Sequence, residues 1–115
     1  MKTFINIRFA LFGLHNWPNA SKTFKEVAFL DNLHSHTFNF RLKFEVFHND
    51  RDKEFFVEKA KVIRYLKERY GTDDEIALNF GANSCEHLAT ELLEVFGALE
   101  VEVQEDNLDS AICVC

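Results

Sequence analysis

The chain has 115 residues, enough for a single domain spanning 1–115 that buries roughly two thirds of its unfolded surface. A formal charge of −6 provides no basic stripe to neutralise phosphates, which excludes nucleic acid as a partner. Asn6 and Arg8 interrupt the apolar N-terminal stretch, no run approaches transmembrane length, and three cysteines form no closed disulfide set, so the expectation is a cytoplasmic protein with free thiols and no membrane partner.

Lys2 to Leu14 alternates with period two: Ile5, Ile7, Phe9 and Leu11 face one way, Asn6, Arg8 and Ala10 the other. This predicts a strand that runs forward to His15. Asn16 to Asn32 has no sustained period and reads as a long loop with room for one short turn. Loops of that length in compact domains are usually functional. His34 to His48 resumes the alternation, with Phe38, Phe40, Leu42, Phe44 and Val46 on one face, and His48 opens a polar turn. From Phe55 to Tyr70 the period lengthens, so that Phe55, Lys59, Val62, Ile63, Leu66 and Tyr70 form a helical stripe ended by Gly71. Ser84 has the character of an N-cap for a second helix carrying Leu88, Leu92, Val95 and Phe96, closed by Gly97. Leu99, Val101 and Val103 then alternate with Glu100, Glu102 and Gln104, and a short last strand runs from Ala111 to Cys115. The order strand, strand, helix, helix, strand, strand predicts an α+β domain, with an antiparallel four-stranded sheet and both helices on one face. Thirteen Phe supply bulky core material or apolar surface for a subunit interface.

His15, His34 and His36 fall on the apolar sides of the first two strands. Any one of them alone would more often be a hydrogen-bonded core residue. Three such imidazoles at comparable strand ends are costly to bury unless something binds their nitrogens. A divalent metal does that, and three neutral histidines with one open position are the ligand set of a catalytic Zn²⁺. Glu105 continues the Leu99-Val101-Val103 side, either as a site carboxylate or as the strand's exit to water. Glu86 follows Ser84 in the first helical turn, where an anion is favoured and tuning the helix dipole is its simplest role. His48 and His87 read as partly exposed and not as ligands. Cys113 and Cys115 share a strand face but lack further Cys or His neighbours, so they are not expected to hold a metal.

Five segments then resemble one family in the same order. They are Gly13-Leu14-His15, Leu33-His34-Ser35-His36, Asp74-Glu75-Ile76-Ala77-Leu78-Asn79, Ser84-Cys85-Glu86-His87-Leu88-Ala89 and Val101-Glu102-Val103-Gln104-Glu105. They are similar to the segments of the 6-pyruvoyltetrahydropterin synthase and 6-carboxytetrahydropterin synthase family, and the similarity covers nearly the whole chain. Glu54-Phe55 with Lys59 likewise looks like the start of that family's first helix. The resemblance implies a T-fold subunit that self-associates side by side into a homo-oligomeric barrel with sites at the seams. It implies Zn²⁺ on His15, His34 and His36, and a dihydropterin triphosphate substrate. Glu105 would grip the heterocycle, with Ser84, Cys85 and Glu86 nearby. A carboxylate suits that task because a pterin offers a ring N–H and an exocyclic amine side by side.

Two positions depart from the family pattern. Leu30 stands where bacterial carboxy-type members place a catalytic Cys, and Glu75 follows Asp74 where the family keeps a proton-transfer His. Asp74, Glu75, Asp31 and Cys85 are therefore the candidates for proton chemistry. Three functions follow: a pterin lyase with a rewired base, a metal enzyme of the same fold acting on another purine or pterin-like small molecule, or a module that binds such a ring without turning it over.

Overall fold

Alternation over Thr3–His15 and His34–Val46 produces two 13-residue strands, β1 and β2. They pair antiparallel along their whole length in the computed structural model, which describes residues 1–115. Between them lie a short helix, α1 (Ala20–Thr23), and a 3-10 segment over Lys25–Asp31 that kinks at Val27. The expected loop is thus more ordered than its sequence suggested. Short polar turns of this kind are held by local hydrogen bonds and leave no apolar period to read.

Helix α2 covers Phe55–Tyr70, and the Glu54 carboxylate accepts from Phe56 N and Val57 N at its start. Its buried positions are Glu58, Val62 and Leu66, while Phe55 is 52% exposed, so the apolar stripe does not begin where its sequence placed it. Strand β3 is only Leu78–Asn79, and helix α3 covers Cys85–Phe96 between its Ser84 cap and Gly97. Gly97 takes the left-handed conformation (φ 65°) that ends many helices. Strands β4 (Glu100–Glu105) and β5 (Ser110–Val114) complete the chain.

The sheet order is β3-β1-β2-β4-β5. Four strands are antiparallel neighbours, as expected, and the fifth is a correction: β3 runs parallel to Gly13–Leu14 of β1. A two-residue strand is too short to show periodicity. Its place is set by the backbone that follows, where Phe80 N donates to Leu14 O at 2.8 Å and Asn16 N to Gly81 O at 2.9 Å.

One face of the sheet carries the core. Ile7, Phe38, Phe40, Leu42, Val101 and Val103 pack under Val62 and Leu66 of α2 and Leu88, Ala89 and Leu92 of α3. Each fully buried Leu, Val or Phe side chain contributes about 1.5–3 kcal/mol relative to exposure. Gly13 is needed for this packing, since a Cβ there would lie 2.6 Å from the Phe80 ring and 3.1 Å from that of Phe38. The opposite face is polar at its centre, where the Arg41 guanidinium reaches Glu100, Glu102 and Asn6. No helix is long and apolar enough to cross a membrane.

Candidate metal centre

The register of β1 and β2 brings the histidines together. His15 lies opposite His34, His36 lies opposite Gly13, and all three project from the core face at the end of the sheet. Their ring centres are 4.7–5.2 Å apart. One candidate ligand atom from each falls within 4.8 Å of the others. Strand β4 adds Glu105, which pairs with Phe38 one step further along the same face of β2.

Each imidazole is held at Nδ1. His15 Nδ1 lies 3.0 Å from Asn83 O, His34 Nδ1 2.9 Å from Asn32 O, and His36 Nδ1 2.6 Å from Asp106 Oδ2. Carbonyl and carboxylate oxygens only accept here, so each ring donates its Nδ1–H and keeps Nε2 as its free donor to an ion. A hydrogen-bonded Nδ1 is the outer contact that fixes tautomer and orientation in histidine metal sites. The residues therefore suit a borderline divalent ion such as Zn²⁺ in both number and tautomer.

Asp106 was not anticipated as part of this site. Its carboxylate also accepts from Thr37 N at 2.8 Å, and its own N–H donates to Thr37 O at 2.9 Å, clamping the β4–β5 turn to β2. Asp106 and Asn107 are both left-handed (φ 53° and 60°). An Asp-Asn pair between two alternating runs is a hairpin signal, and it places the carboxylate at the corner beside His36. The Asn83 and Asn32 carbonyls leave no such mark, because any residue could supply them.

Glu105 Oε1 is 3.3 Å from His15 Nε2, and Oε2 is 3.5 Å from His36 Nε2. Burial disfavours the His15 cation, but its hydrogen bonds to Glu105 and to the Asn83 carbonyl prevail, and its pKa is raised. Glu105 is correspondingly lowered, first by its hydrogen bond to His15. The Cys85 thiol donates to Glu105 Oε1 at 3.3 Å. Burial, then the charge of Glu105, pushes that thiol well above its ordinary range, which leaves it a poor thiolate base.

His15, His34, Cys85 and Glu105 border a cleft of about 460 Å³ that also takes in Trp17, Leu30, Ser84, Glu86 and His87, while His36 lies outside its lining. The Ser84 hydroxyl accepts from His87 N at 3.1 Å, and Ser84 N donates to His87 Nδ1 at 3.2 Å, so His87 serves the helix cap and is exposed. His48 is exposed beside Asp52, and neither histidine joins the cluster.

Three of the proton-transfer candidates do not line this cleft. The Asp31 carboxylate is turned to Ser21, accepting from Oγ at 2.6 Å and from N at 3.1 Å. Asp74 Oδ1 accepts from Thr72 Oγ1, Ile76 N and Ala77 N, and these bonds organise its own turn. Glu75, left-handed at φ 60°, borders a separate hollow of about 380 Å³ with Phe12, Lys67 and Ile76. No family model and no curated protein matches the chain.

Proposed function

We propose that the chain is a T-fold protein of the pterin synthase type, which binds Zn²⁺ through His15, His34 and His36 and a pterin-like ring beside it. The single observation that carries this reading is the commitment of all three Nδ1–H groups to protein oxygens, which leaves three Nε2 atoms for one ion. A bound zinc supplies Lewis-acid polarisation of an oxygen on the substrate side chain. Glu105 offers two acceptor oxygens to the ring N–H and exocyclic amine; the His15 hydrogen bond first, and the Cys85 thiol after it, hold the carboxylate in place and keep it anionic. Trp17 and Leu30 give the cleft an apolar wall that excludes water from the ring. Glu86 adds negative charge at its mouth.

The substrate in this reading is 7,8-dihydroneopterin triphosphate, and the sites lie at the seams of a homo-oligomeric barrel. The Asp74–Glu75 turn lies apart from the cleft of its own chain, so in this reading any part it plays would be in the cleft of a neighbouring copy. Two observations favour a second reading, a same-fold protein that binds a purine or pterin without turning over the triphosphate. No Lys or Arg borders the cleft to neutralise a triphosphate, and Leu30, whose side chain cannot accept a proton, lines it. Incubating the zinc-loaded protein with dihydroneopterin triphosphate separates the two. Released triphosphate with a change in pterin fluorescence supports the synthase. Tight binding without release supports the binding module, and absence of both defeats the pterin reading.

A further inference from the structure

The Glu105 carboxylate lies against the same nitrogens that the metal centre assigns to the ion. Its oxygens approach His15 Nε2 and His36 Nε2 at 3.3 and 3.5 Å. Both rings already donate Nδ1–H elsewhere. When neutral, they present lone pairs to the carboxylate, so acceptor faces acceptor twice unless a proton or a metal ion lies between. A cation between them removes the conflict, and one metal ion removes both halves at once.

The spacing fits that role. Four ligands placed tetrahedrally at about 2.0–2.2 Å from a zinc ion stand roughly 3.3–3.6 Å from one another. Each Glu105 oxygen holds that separation from one histidine, Oε1 from His15 and Oε2 from His36, so either oxygen stands at the edge of the three-histidine group. The Cys85 thiol, donating to Oε1 at 3.3 Å, supplies the outer hydrogen bond that ligating carboxylates take.

We propose that Glu105 is the fourth protein ligand of the metal centre, and that a bound heterocycle competes with the metal for its carboxylate. The second half rests on the pterin reading above; the first does not. A set of three histidines and one glutamate is closed to small anions. A ring presenting two adjacent N–H donors needs both carboxylate oxygens, so gripping it draws Glu105 away and opens one coordination position beside the ring's substituent. The centre then opens for molecules that carry the donor pair and stays closed to those that do not.

Cobalt tests this without any turnover. The full-length protein is stripped with a chelator and reloaded with Co²⁺, whose visible absorption reports its coordination, and azide is titrated into wild type and Glu105→Ala. The variant should respond at an azide concentration about tenfold or more below that needed by wild type. Equal half-saturation in the two proteins would overturn the fourth ligand. Glu105→Gln keeps the shape with a weaker donor and should fall between them, and it carries the same comparison if the Ala variant loses its far-ultraviolet dichroism. Adding unsubstituted pterin to wild type should lower its azide half-saturation towards that of the variant. Pterin that quenches tryptophan fluorescence yet leaves the azide response unchanged overturns the competition. A wild-type protein with no cobalt absorption counts against the metal centre itself and not against Glu105 alone.

Discussion

Asp106 shows how far residue-level reading of this chain reaches. His15, His34, His36 and Glu105 were legible because period-two register places them on the apolar faces of β1, β2 and β4. The groups that aim them were not, because two are main-chain carbonyls delivered by loops and the third is a carboxylate one position beyond a strand. Three of the four candidate bases failed to gather, for a related reason; only Cys85 joins the site. Carboxylates such as Asp31 and Asp74 are equally good turn organisers, and sequence does not distinguish the two uses. Since Asp106 is the sole protein partner fixing Nδ1 of His36, Asp106→Ala should weaken zinc binding by about 10- to 100-fold. Competition against a chromophoric chelator measures this, with dichroism checking that the fold persists. Unchanged affinity would show that His36 needs no orienting partner.

At the scale of elements, the helices were the most readable part, since Ser84, Gly71 and Gly97 mark their limits in the residue types themselves. What joins α2 to α3 was not readable. Glu91 of α3 accepts from Tyr65 Oη and Tyr70 Oη of α2, each at 2.5 Å, and pairs with Arg69 Nε at 2.8 Å. Burial, then the hydrogen bond to Glu91, raises the Tyr65 phenol to about 12. The folded state therefore retains a proton that the unfolded chain releases near pH 10. Between about pH 10 and 12 the unfolded state binds fewer protons, so stability falls as pH rises through that window and is fully present below it. Tyr65→Phe keeps the ring packed on Phe96 and removes the titration, so its melting temperature should decline less steeply over that window. Identical slopes in the two proteins would place the alkaline sensitivity elsewhere.

At the scale of the whole molecule, the sequence conveyed an α+β chain with four antiparallel strands and helices on one face. It did not convey β3, whose two residues pair through backbone alone. The resulting sheet has free edges, for β3 covers only Gly13 and Leu14 of β1, and β5 is bordered on one side only. Exposed strand edges are commonly closed by a second copy, and Phe4, Phe12, Ile112 and Val114 stand exposed on the strands concerned. Light scattering at micromolar concentration should therefore report an oligomer, and a stable monomer would contradict the barrel. The central claim is narrower: the fold gathers three imidazoles from two strands to hold one metal ion. His34 is the variant of choice, because it is more exposed than the buried His15 and its loss spares the core. Elemental analysis of purified wild type should find about one zinc per chain, and His34→Ala, with its fold intact by dichroism, should carry almost none. Equal zinc in the two proteins would contradict the account.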